Sequence, residues 1–81
     1  MKKCFLVLVL GYWGRGDTLK KAAFQCKANG AKNTERAVAF LIVGDDTATV
    51  DSMGCIVRDV GSENITIGAG FKLGQLTKLE D

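Results

Sequence analysis

The chain has 81 residues, 47% of them apolar and 25% charged, with a net charge of +2. This is a globular composition sized for one domain, so residues 1–81 are read as a single α/β domain with no room for a deep cleft beside its core. The small positive charge falls short of the basic stripe usual in nucleic-acid binders, and a membrane span needs about 20 apolar residues, so nucleic acid is the less favoured partner and a membrane is excluded.

Met1-Lys2-Lys3 followed by Cys4 to Leu10 imitates the start of a signal peptide. The apolar run is short, however, and no small-x-small cleavage site follows, so retention in the cytoplasm is the reading. The residues 4–13, Cys-Phe-Leu-Val-Leu-Val-Leu-Gly-Tyr-Trp, read as one strand that is apolar on both faces, as in a β-α-β unit. Gly11, Gly14 and Gly16 then break the chain. Asp17 or Thr18 caps a helix that runs to about Asn29 and stops at Gly30. Leu19, Ala22, Ala23 and Cys26 form its buried stripe, whereas Phe24 lies about 140° from Leu19, beside Lys20 and Lys21.

After a polar loop, residues 36–43 form a second strand that is apolar on both faces. Gly44-Asp45-Asp46, Ser52-Met53-Gly54 and Gly61-Ser62-Glu63 read as turns around weaker strands at 47–51 and 55–60. Ile65, Ile67, Ala69 and Phe71 alternate with polar residues or glycine, a strand in which Gly68 and Gly70 mark bulges. Residues 74–81 read as a short polar tail with one turn of helix. The expected fold is α+β, in the order β-α-β-β-β with a further strand admissible, and one helix packs on a curled mixed sheet. A right-handed crossover places the two long strands parallel. One helix covers one sheet face, so the second apolar face needs a cover, and a homodimer is one solution.

Gly11-Tyr12-Trp13-Gly14-Arg15-Gly16-Asp17-Thr18 matches the spacing of a phosphate-cradling loop, but Asp17 stands where the lysine must be and would repel phosphate. Tight turning and helix capping explain these residues better. Arg15-Gly16-Asp17 spells an integrin-binding tripeptide, a coincidence in a cytoplasmic chain. Asp45, Asp46 and Asp51 do not fit a calcium loop, so no metal is expected. Asn64-Ile65-Thr66 is a glycosylation sequon without meaning in the cytoplasm. Cys4, Cys26 and Cys55 are too few and too scattered for a disulfide framework or zinc site, and apolar surroundings keep such thiols unreactive. With no histidine in the chain, Ser-His and Cys-His pairs are impossible. No cofactor and no enzymatic activity are expected.

Tyr12, Trp13 and Arg15 have the composition of a protein-binding hot spot, and Lys20, Phe24 and Lys27 extend it along the helix. Stacking on bases, with the lysines on phosphates, is the alternative use of the same residues. The run Gly11-Tyr12-Trp13-Gly14-Arg15-Gly16, with Thr18-Leu19, Ala22 and Ala23, resembles the opening of small bacteriophage and prophage proteins. That resemblance carries over no functional residue. It implies a non-enzymatic protein in the host cytoplasm that binds and modulates or inhibits a host or defence-system protein, with a structural virion subunit as the alternative.

Overall fold

A computed structural model of the chain describes residues 2–44, 49–50, 56–57 and 63–80. The elements in chain order are β1 (Lys2–Val9), β2 (Tyr12–Gly16), α1 (Leu19–Ala28), β3 (Arg36–Gly44), β4 (Thr49–Val50), β5 (Ile56–Val57), β6 (Glu63–Lys72) and α2 (Leu73–Leu76). Turns expected at 45–46, 52–54 and 61–62, the aspartates Asp45, Asp46 and Asp51, and Cys55 lie outside the described residues.

Four strands form an open sheet in the order β2-β1-β3-β6, and β4 pairs with β5 in a separate two-stranded ladder. With α1 packed on one sheet face the fold is α+β, as the sequence suggests. Two details of the sheet differ from expectation. The apolar run 4–13 is not one strand: Leu10 and Gly11 turn the chain, and Val9 pairs with Tyr12 across them. This hairpin reverses the chain once before the crossover. The two long strands β1 and β3 are consequently antiparallel, with Phe5 opposite Leu41, and every neighbouring pair in the four-stranded sheet is antiparallel. The crossover that α1 makes joins β2 to β3, which flank β1.

Alternation along β1 divides the apolar residues between two faces. Phe5, Val7 and Val9 face α1 and join a core with Ala22, Ala23, Cys26, Ala31, Ala37, Leu73 and Leu76. Cys4, Leu6 and Leu8 face the other way, alongside Trp13, Arg15, Val38, Phe40 and Ile42 by register. On this second face Leu6 and Ile42 are buried, and Leu8, Trp13, Val38 and Phe40 are half-buried. Trp13 therefore does not close the core beneath the helix; its strand neighbours Tyr12, Gly14 and Gly16 point to that side.

The helix ends where its sequence dictates. Thr18 is the N-cap, its Oγ1 accepting the Lys21 N–H at 3.1 Å. At the far end Gly30 takes φ 126°, its N–H donating to Lys27 O, while the Ala31 N–H donates to Cys26 O. Buried Ala31 packs beside Cys26, which completes a Schellman stop with its apolar contact.

The C-terminal segment departs from a polar tail. Its one-turn helix α2 buries Leu73 and Leu76, and Thr77 is buried after it. The Leu73 and Gly74 N–H groups donate to Glu35 O and Asn33 O, which ties α2 to the loop between α1 and β3.

Both sheet edges are blunted against pairing with another chain. Along β6 the register slips twice, leaving Ile67 and Gly70 as extra residues, with Gly70 at φ 83° and its carbonyl taken by Arg36 Nη1. At the β2 edge the carbonyl of Trp13 accepts a 2.6 Å hydrogen bond from Asn29 Nδ2.

Candidate functional site

The residues 12–16 form an extended strand, so they cannot curl into a nest of N–H groups around a phosphate. What the glycines provide is proximity. Gly14 and Gly16 lie under α1, against the backbone of Ala22 and Cys26 and the stem of Lys21. Tyr12, next on the same side, rests its ring on Gly30 at the helix end. The hairpin tip is thereby fixed to the C-terminus of α1. Asn29 completes the attachment, donating to Trp13 O and accepting from Gln25 Nε2 at 3.3 Å.

On this mount stands Leu10, 82% exposed and at φ 50°. A left-handed leucine at the first position of a two-residue turn is a strained choice. The conformation costs about 1–2 kcal/mol for an L-residue with a bulky side chain, and Gly or Asn normally occupies such a site. Sequence reasoning missed Leu10 because it completes an apolar run and carries no turn signal of its own. The substitution Leu10→Asn is expected to stabilise the fold by about 1 kcal/mol, raising Tm by about 4–8 °C in a domain of this size. Thermal unfolding by circular dichroism checks this; an unchanged or lower Tm would contradict the strain.

The six residues singled out in the sequence separate into three groups. Tyr12 is 41% exposed on the helix side of the hairpin. Trp13 and Arg15 lie on the opposite sheet face, half-buried, with Arg15 Nε donating to Cys4 Sγ at 3.4 Å. Lys20, Phe24 and Lys27 fall within about 60° of one another on α1, on the flank away from Ala22 and Cys26 where the helix meets β2. Phe24 is 48% exposed there. Leu10, Tyr12 and Phe24 thus put three large apolar side chains on the hairpin and helix half of the molecule.

Charge on this half is one-sided. The helix carries Lys20, Lys21 and Lys27 and no carboxylate of its own; Asp17, just before it, pairs with Lys21 at 3.1 Å. Beyond the helix Lys32 is exposed, and the Glu35 carboxylate accepts from the Lys32 backbone N–H at 2.8 Å. A second feature is a shallow hollow of about 250 Å³ between Asn33, Lys72, Gly74, Gln75 and Lys78. Its ammonium groups belong to exposed side chains, and the Gln75 Oε1 is already taken by the Lys72 N–H.

The cysteines are set apart by burial. Burial pushes the Cys26 thiol up to about 11 from 9.0, the Glu35 carboxylate adds to the rise, and a hydrogen bond with the Val9 backbone opposes it. Native protein treated with iodoacetamide at pH 8 should therefore be modified at half-buried Cys4 well before Cys26, which should react only on unfolding. Peptide mapping checks the order. The raised thiol also sets a sign for stability. Its contribution is complete below pH 9 and is lost as pH rises from 9 towards 11, because the unfolded thiol ionises first.

Among the described residues, no group of three or more Cys, Asp or Glu side chains is placed to hold a metal ion, and no helix is long and apolar enough to cross a membrane. No family model, no curated protein and no solved structure matches the chain.

Proposed function

We propose that the chain is a non-enzymatic binding module that acts by occupying a protein partner. The observation that carries this reading is the exposure of Leu10, Tyr12 and Phe24 on a hairpin and helix locked together by Asn29. Large apolar side chains on a rigid support are the usual anchors of protein interfaces. The lack of histidine in the sequence removes the commonest acid–base and nucleophile pairs, which leaves binding as the economical reading. A cytoplasmic host or defence-system protein, inhibited or redirected by occlusion, is the concrete version suggested by the phage-type opening of the chain.

Quantitative affinity capture from host lysate tests it, comparing the parent with Phe24→Ala and Tyr12→Ala. One protein should be enriched by the parent and depleted at least tenfold by one of the variants. Equal capture by all three would place the interface elsewhere.

The lysines of α1 favour one further reading, nucleic-acid binding through the helix flank. Fluorescence anisotropy with single- and double-stranded probes at two salt concentrations decides, since phosphate contacts require a steep loss of affinity with salt. Self-association is the other use of exposed apolar surface. Like charges oppose it across α1, and the bulges of β6 oppose it at that edge. Light scattering at high concentration should accordingly give a monomer.

A further inference from the structure

The geometry points to Leu10 as the anchor of the interface, and to its receptor as an apolar pocket in a protein whose rim carries carboxylates. This deepens the binding-module reading and rests on it. Leu10 is the most exposed of the large apolar side chains among the described residues, at 82% against 48% for Phe24. It occupies a left-handed position at which a smaller or polar residue would be easier to accommodate. A side chain kept exposed, in a backbone state that disfavours it, has no role inside the fold. Strain retained at a surface position of this kind is explained by an external contact.

The mount supports the same assignment. Val9 and Tyr12 pair directly below the turn, the Tyr12 ring rests on Gly30, and Asn29 holds Trp13 O at 2.6 Å. The tip is presented in one position, so little conformational freedom remains to be lost on binding. Its shape is a single convex projection, which fits a concave apolar pocket. A nucleic acid has little use for it, since leucine offers neither a charge nor a stacking face.

Charge specifies the rim. Lys27 in the last turn of α1 and Lys32 in the loop after it, both exposed, stand two residues to either side of Asn29 and Gly30, which hold Trp13 and Tyr12 below the tip, and the Glu35 carboxylate in that loop is engaged by the Lys32 N–H. A pocket receiving Leu10 would meet these ammonium groups with Asp or Glu.

The test uses the full chain with a photo-crosslinking amino acid at position 10 and, as a control, at position 67 on β6. Cross-linking in lysate identifies the protein touched from position 10, and the cross-linked peptide locates its pocket. That protein is then purified and titrated with the parent, Leu10→Asn, Leu10→Met, Lys27→Glu and Phe24→Ala. We expect Leu10→Asn to weaken binding about 30-fold while remaining folded, Leu10→Met to stay within a few-fold, and Lys27→Glu to weaken it with reduced salt dependence. A partner that loses affinity with Phe24→Ala yet binds Leu10→Asn within twofold of the parent would overturn the anchor and leave the binding module standing. Capture at neither position, or cross-linking from position 10 into lipid of vesicles made from phosphatidylglycerol and phosphatidylethanolamine with no protein product, would overturn the anchor and count against the module as well.

Discussion

The substitution Gly14→Ala is expected to abolish the folded state under ordinary conditions. Gly14 sits on the helix side of β2, opposite Val7, and α1 rests directly on it. An added methyl group would lie 2.9 Å from Cys26 Cα and closer still to Ala22 O and Cys26 N. These are backbone atoms of a helix, and no rotamer change moves them aside. The helix would have to lift, drawing Ala22, Ala23 and Cys26 out of the core they fill at 0% exposure. Overpacking usually costs about 1–3 kcal/mol, and a clash with helix backbone that no rotamer relieves belongs at or above the upper end, against a total of about 3–5 kcal/mol for one core of this size. Gly11→Ala is the matching control, because a methyl there meets nothing within 4 Å. Urea unfolding followed by circular dichroism should give a parent-like midpoint for Gly11→Ala and no native baseline for Gly14→Ala. A Gly14→Ala midpoint close to that of the parent would contradict the close approach of α1 to β2.

The same residues show why part of the fold was legible in the sequence and part was not. The helix was legible because its signals are local: a threonine that caps, a glycine that stops, and an apolar stripe at helical spacing. The strand β6 was legible from its alternation, but its facing was not. The extra residues Ile67 and Gly70 put Ala69 beside Val38 on the second face while Ile65 and Phe71 stay beside Leu41 and Ala37 on the helix side, and Gly68 pairs in register with Ala39. The hairpin was not legible. A two-residue turn is normally announced by Asn-Gly or Asp-Gly, and here Leu10 stands in the first place. With the turn hidden, residues 4–13 read as one strand. One reversal of the chain was lost, and β1 and β3 changed from antiparallel to parallel in the expectation. The glycines of β2 misled in the opposite sense. Alternate glycines at positions 14 and 16 suggest a loop by propensity, but in a strand they clear one face for a helix, a tertiary demand that propensity does not contain.

The candidate site divides along the same line. Phe24 was visible as an aromatic off the buried stripe, because helical periodicity locates it without tertiary information. Strand alternation alone puts the adjacent Tyr12 and Trp13 on opposite sides, but which side meets the helix depends on the register of a hairpin that was not seen. Leu10 was hidden altogether, since its exposure follows from the turn and not from its neighbours in sequence.

Leu73→Ala is expected to cost about 2–5 kcal/mol, enough to leave the domain mostly unfolded at 37 °C. Leu73 is among the largest fully buried side chains, and it belongs to the core formed by Val7, Val9, Ala23 and Cys26. Truncating it leaves a cavity beneath α2, and its neighbours there include alanines too short to close the gap. The backbone adds a second dependence. The Leu73 and Gly74 N–H groups hold Glu35 O and Asn33 O, so loosening α2 also frees the loop that leads from α1 into β3. By contrast Leu79, 38% exposed, should tolerate alanine within about 0.5 kcal/mol. Thermal melts of the two variants check the difference, and equal Tm values would show that α2 adds little to the core. The pair Leu73→Ala and Leu10→Asn also separates stability from binding. The first should weaken partner binding only as far as it depletes the folded population. The second should weaken binding although the folded population grows. Loss of affinity in proportion to unfolding for both variants would mean that the hairpin tip acts through the fold and not through contact.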